Sequence, residues 1–206
     1  MTAVSATKPL GPGDLAPDFE LPAADTDGTV ALAEHRRRGP VLLSLLRGLY
    51  CPFCRRRITL FRPTCETLRA AGISVVGVVI ASSERARLYF RHFPPSFPMA
   101  AAPDRRIHQA YGLPESTLTR ESREEVESRA AQALQGLGAE APSGKAIGTF
   151  IRWNNFEVTA EDASEMKAPL QGVGHFLVMP DSRIRYARVD DQFDPLPGVE
   201  EILRLV

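Results

Sequence analysis

One stretch constrains this chain more than any other: a continuous run at residues 41–46, apolar but for Ser44, then Arg47-Gly48, then Cys51-Pro52-Phe53-Cys54. The run reads as a buried strand, since it lacks the alternation of a half-exposed one. Proline suits the first turn of a helix, where its missing N–H would have had no intrahelical partner. Ile58, Phe61, Cys65 and Leu68 then continue an apolar stripe at helical spacing towards Ala71. Cys51 is therefore expected at a helix N-terminus just past a buried strand. There the helix dipole and free N–H groups stabilise a thiolate and make the sulfur nucleophilic. Cys54 lies one turn further on, within disulfide reach. The pattern is that of a redox dithiol.

Two plainer readings compete. A structural zinc knuckle needs two more ligands, and Cys65 with four scattered histidines supplies no second pair at ligand spacing. Inert core cysteines are common, but the strand–Cys-x-x-Cys–helix context favours redox chemistry. Cys65 stands about 16 Å further along the same helix and is expected to pack in the core. No metal and no other cofactor is implied.

Composition narrows the setting. With 44% hydrophobic and 24% charged residues in 206, the chain is that of an ordinary globular protein. A formal net charge of zero offers no footprint for nucleic acid or an anionic membrane. No apolar stretch approaches the roughly 20 residues that cross a bilayer, and residues 1–10 carry no signal-peptide pattern. A cytoplasmic location is expected, where a Cys-x-x-Cys is catalytic or redox-sensing rather than a structural staple.

Along the chain, residues 1–14 read as a flexible tail and 15–206 as a single domain. Short strands are expected at 18–22 and 29–32, a long β-branched strand at 73–80, a helix at 84–92, a strand at 97–101 and a short helix at 105–111. A hairpin follows at 176–179 and 184–189, then a closing helix at 199–205. Such alternation implies an α/β fold with a mixed central sheet flanked by helices. Between about 114 and 172 the rhythm breaks. Thr119 is a candidate N-cap for a charged helix to Leu134, and an apolar-aromatic stretch follows at 150–156. The segment reads as an insertion over one face of the sheet.

By now the chain resembles the peroxiredoxin-like branch of the thioredoxin-like superfamily, grouped with alkyl hydroperoxide reductase and thiol-specific antioxidant proteins. Four segments carry the likeness: 13–21, the active-site loop Arg47 to Arg55, 102–113, and the hairpin 176–186. The resemblance implies a thioredoxin-like fold with a peroxiredoxin-type N-terminal extension. A typical peroxiredoxin has Pro seven residues before its peroxidatic Cys, Thr or Ser three before it, and Arg at the start of the hairpin strand. Here those positions are Ser44, Gly48 and His175. The groups that would polarise a peroxide are thus absent, and weak peroxidase activity is expected, with Arg47 as a substitute cation. The cis-proline that faces the thioredoxin dithiol corresponds to Gly174.

The resemblance makes Cys51 the nucleophile and Cys54 its resolving partner, recycled by thioredoxin or a low-molecular-weight thiol. His175, if it projects towards Cys51, would serve as base or acid. Tyr50, Gly48, Trp153 and Gly174 are the candidates for contact with a small-molecule substrate; Trp153 and Phe156 could instead anchor the insertion. His35, His92 and His108 fall away from the site in this reading. A homodimer stays open. Two other functions also stay open: an enzyme of specialised metabolism using Cys51 with His175, and a non-catalytic redox-sensing module.

Overall fold

The computed structural model describes residues 2–3, 8–190 and 197–206. Before the dithiol come β1 (Thr2–Ala3), β2 (Glu20–Pro22), β3 (Thr29–Ala31), α1 (Leu32–Arg36) and β4 (Val41–Leu45). The long helix α2 (Pro52–Ala70) leads to β5 (Ser74–Ile80), α3 (Ser83–His92), β6 (Met99–Ala102) and α4 (Arg106–Ala110). The insertion contains β7 (Glu115–Thr117), α5 (Arg120–Gln135), α6 (Ala146–Ile151), a 3₁₀ turn Trp153–Asn155, α7 (Ala160–Glu165) and β8 (Leu170–Gln171). The chain closes with β9 (Val173–Val178), β10 (Ile184–Asp190) and α8 (Val199–Leu203).

Five strands form the central sheet in the order β10-β9-β4-β5-β6. β4, β5 and β6 run parallel, while β9 lies antiparallel to both β4 and β10, so the sheet is mixed as the alternation predicts. β4 is buried at every position, which explains why its run is apolar except at Ser44: both faces are covered. Leu42 and Leu46 pack in the core beneath α2, whereas Val41, Leu43 and Leu45 pack in the opposite core with α1 and α4. Ser44 and His175 sit opposite each other in the β4–β9 register, on the α2 side with Leu42 and Leu177.

The insertion covers the α2 face and is closed at its base by β7 pairing with β8. Val126, Ala130, Leu134, Phe150 and Phe156 all join the core under α2. Thr119 caps α5 as expected, its hydroxyl accepting from the Ser122 N–H at 3.2 Å. The short elements α6, β7 and β8 lack a sequence signal of their own, whereas α7 carries a capping box at Thr159 and Asp162; all are held by contacts with α2, α3 and the sheet. Of the expected flexible tail, residues 1 and 4–7 lie outside the described ones. Within the rest, Thr2–Ala3 pairs with β7, Leu10 N–H donates to the Tyr111 carbonyl and Gly13 N–H to the Ile184 carbonyl.

Candidate active site

At the end of β4 the chain turns through Arg47 to Tyr50, closed by the Cys51 N–H on the Gly48 carbonyl at 3.0 Å. Cys51 is the extended N-cap of α2, with Pro52 opening the helix. Both thiols are free, and both are nearly buried: Cys51 is 4% exposed and Cys54 2%. A hydrogen bond from the Cys54 thiol is the main influence holding the Cys51 thiol below the ordinary cysteine range. Burial opposes it, and the nearby positive charges of Arg47 and Arg55 reinforce it. The same hydrogen bond, together with burial, pushes Cys54 well up. The two sulfurs are thus differentiated into thiolate and thiol donor. Cys65 is raised to about 11 by burial and is a packing residue of the core.

Arg47, 2% exposed, donates through Nε to the Gln171 carbonyl, which ties the active-site loop to the strand beside it. Gly48 is tightly enclosed: a Cβ there would lie 2.9 Å from the Ile80 carbonyl oxygen and 2.8 Å from the Tyr50 ring. Tyr50 is buried, and burial followed by the neighbouring Cys51 sulfur raises its phenol. Gly174 lies inside β9 opposite Leu45, where a Cβ would meet Leu113 and Phe176 of the core on the far side of the sheet from α2.

His175 is fully buried and its ring nitrogens are engaged. Ser44 Oγ lies 2.7 Å from Nδ1, and Nε2 lies 2.9 Å from Asp190 Oδ2. One tautomer satisfies both contacts: Nε2–H donates to the carboxylate and the serine hydroxyl donates to Nδ1. Burial lowers the imidazole pKa, in keeping with that neutral form. Arg57 Nη1 donates to the same Oδ2 at 2.8 Å and Arg188 Nε to Oδ1 at 2.7 Å. His175 therefore projects beneath the second turn of α2, against Arg57 and Phe61, in a closed network of five polar side chains. His108, also fully buried, holds the Leu46 carbonyl through Nε2 at 2.8 Å and is lowered to about 4 by burial. It supports the start of the active-site loop from the opposite layer, closer to the dithiol than its sequence position implied.

The insertion clasps the first turns of α2. Phe53 meets Phe150 edge-on at 5.2 Å, and Arg55 donates to the Ile151 carbonyl at 2.6 Å. Phe156 is buried between two guanidinium groups, Arg55 at 3.7 Å and Arg85 at 4.8 Å, and Arg85 pairs with Asp162. Phe156 is thus an anchor. Trp153 is different: half-buried, it lines a groove with Pro52 and Arg55. Asp190 and Gln171 escaped the sequence reading. Asp190 had one usable signal, an acid at the end of the expected hairpin strand, two residues after Arg188, which the register places opposite His175. Gln171 had none.

Among the described residues, no group of three or more His, Cys, Asp or Glu is placed to hold a metal ion. No helix is long and apolar enough to cross a membrane. Comparison with known proteins agrees with this layout. A crystal structure of peroxidoxin BcpB from Mycobacterium tuberculosis superposes with a TM-score of 0.56 at 16% identity, covering 87% of this chain and 86% of that one. The reduced 2-Cys peroxiredoxin of Plasmodium vivax gives 0.56 at 13% identity, covering 93% and 91%. These likenesses establish a thioredoxin-like α/β fold. Two curated Mycobacterium tuberculosis proteins, each named "Putative peroxiredoxin", are 32% identical over 109 residues, 53% of this chain and 68% of theirs. Residues 12–134, from the N-terminal extension through the dithiol and into α5, match the family model described as AhpC/TSA family. The match takes in more than half of the chain and includes the Cys51 loop, and the protein belongs to the AhpC/TSA family of peroxiredoxin-like proteins.

Proposed function

We propose that the protein is a thiol-dependent oxidoreductase in which Cys51 attacks a peroxide or disulfide and Cys54 resolves the product. The observation that carries this is the paired displacement of the two thiols, with Cys51 stabilised as thiolate by the Cys54 hydrogen bond, Arg47 and Arg55. With a hydroperoxide, the Cys51 thiolate takes the terminal oxygen; the O–O bond breaks, and the leaving alkoxide is protonated to an alcohol. The Cys51 sulfenic acid then reacts with the Cys54 thiol, forming the disulfide and releasing water. Two thiol equivalents, from thioredoxin or a low-molecular-weight thiol, restore the pair. The near burial of Cys51 favours a slim terminal group such as a hydroperoxide over a bulky disulfide. A cytoplasmic setting suits a pair that must be re-reduced at each cycle.

Peroxide reduction should be slow. The position of the usual hydroxyl is Gly48, where the Ile80 carbonyl and the Tyr50 ring leave no space for a side chain. The position of the usual arginine is His175, whose ring nitrogens are committed to Ser44 and Asp190. Losing one such donor typically costs on the order of 10²–10³ in rate. The alternative in which Cys51 and His175 act as nucleophile and acid/base is the weaker reading for the same reason. Peptide mass mapping after mild peroxide, then thioredoxin or a small thiol, tests the proposal. A Cys51–Cys54 disulfide that forms and is reduced again supports it. Oxidation confined to Cys65, or a sulfenic acid on Cys51 that Cys54 never resolves, would defeat it.

A further inference from the structure

Beside the dithiol, between α2, the end of α3 and the insertion, runs a groove of about 370 Å³. Its walls are mostly apolar. Leu60, Phe93 and Leu137, which are 51%, 38% and 39% exposed, are three of the large hydrophobic side chains that the described surface leaves in solvent, and all three line it. Tyr89, Phe150 and Trp153 add aromatic faces. A clustered, exposed apolar surface of this kind marks a site of contact rather than a random scatter. The charged lining is one-sided: beside the neutral polar groups of Thr59 and Asn154, Arg55 and Arg56 contribute, and none of the lining residues is acidic. Arg56 is exposed at the rim. Arg55 is 8% exposed, and its buried Nε has no hydrogen-bond partner. Pro52, the residue after Cys51, forms part of the same wall.

We propose that this groove is a binding site for organic anions with an elongated apolar body, held by Arg56 at its acidic end and by the Leu60, Phe93, Leu137 and Trp153 surfaces along its length. Charge complementarity decides for an anion over a neutral or cationic amphiphile. Where such an acid carries a hydroperoxide, its slim reactive end would be presented from the Pro52 side of the groove to Cys51. That second half rests on the redox reading above; the binding site itself does not.

Trp153 is the only tryptophan in the chain, so fluorescence excited selectively at tryptophan, apart from the tyrosines, reports on this groove. Dodecanoate below its micelle concentration should change the emission saturably. Dodecanol and dodecyltrimethylammonium should bind far more weakly. Arg56→Glu reverses an exposed charge and should weaken dodecanoate binding by about tenfold, as expected for a rim ion pair turned into a repulsion. Leu137→Asp, a second exposed position, should weaken it as well. The proposal is overturned if no saturable change occurs, if dodecanol binds as tightly as dodecanoate, or if Arg56→Glu binds like wild type. Turnover supplies a separate arm: Arg56→Glu should raise KM for a carboxylate-bearing hydroperoxide and leave KM for hydrogen peroxide unchanged. Dodecanoate binding without any Cys51 oxidation overturns the redox reading and keeps the site. Hydrogen peroxide turnover with no fluorescence response overturns the site and keeps the redox reading.

Discussion

At the scale of single residues, the dithiol is asymmetric because one sulfur hydrogen-bonds the other. The Cys54 thiol donates to Cys51, so the bond stabilises the thiolate on the first residue and the proton on the second. Cys54→Ala should therefore raise the Cys51 pKa, even though no positive charge is removed. Arg47→Gln should raise it too, by a smaller step, since the guanidinium ranks below that hydrogen bond among the causes. Thiolate absorbance against pH, with iodoacetamide rates as a cross-check, reads both shifts. In wild type the thiolate is present above the depressed pKa and is lost as pH falls through it, so alkylation at neutral pH should be fast. A Cys54→Ala titration that overlays wild type would remove the hydrogen bond as the cause.

Between elements, two departures from the family pattern become one feature. Ser44 on β4 and His175 on β9 stand in direct register and share a hydrogen bond at 2.7 Å, so neither substitution makes sense alone. The network continues through Asp190 to Arg57 on α2, and it joins the two antiparallel strands to the helix that carries the dithiol. Ser44, His175, Asp190 and Arg57 are buried, so a broken link among them leaves an uncompensated polar group. Asp190→Asn should cost about 3–5 kcal/mol, the range for removing one partner of a buried ion pair. Ser44→Ala and His175→Ala should be non-additive, because each already abolishes the bond they share. Urea unfolding of the two single variants and the double variant measures the coupling; strict additivity would contradict the pairing.

For the whole molecule, the two cores differ in how they meet acid. His108 is fully buried and held to about 4 by burial, against an unfolded-state value of about 6.5. The folded state thus binds fewer protons than the unfolded state across that window. The stability contribution is complete above about pH 6.5 and is lost as pH falls towards 4, a total of about 3 kcal/mol at 1.36 kcal/mol per unit. His108→Gln, which keeps a donor for the Leu46 carbonyl, should flatten the stability–pH slope over that window. Asp190, held low by His175, Arg57 and Arg188 against the effect of burial, adds its own loss only in more acidic solution. Unfolding midpoints at several pH values for wild type and variant separate the two; identical slopes would exclude His108 as a contributor.

The dithiol and its scaffold were readable locally. A strand buried on both faces, a helix opened by proline and a cysteine at its cap each depend on a few adjacent residues, so periodicity and turn chemistry reveal them. The central strands and long helices therefore stood close to where spacing predicted. The surroundings of the pair were not readable in this way. That His175 faces Ser44 and Arg57 follows from packing between segments more than a hundred residues apart, and that it meets Asp190 follows from the pairing of β9 with β10. That Trp153 lines a groove while Phe156 is buried between Arg55 and Arg85 follows from how the insertion settles on α2. Gln171 receives Arg47 only because β8 ends beside the active-site loop. Such contacts are set by packing between distant segments, whose energies no local pattern encodes. The sequence thus specifies which atoms can react, and tertiary packing specifies what surrounds and admits to them.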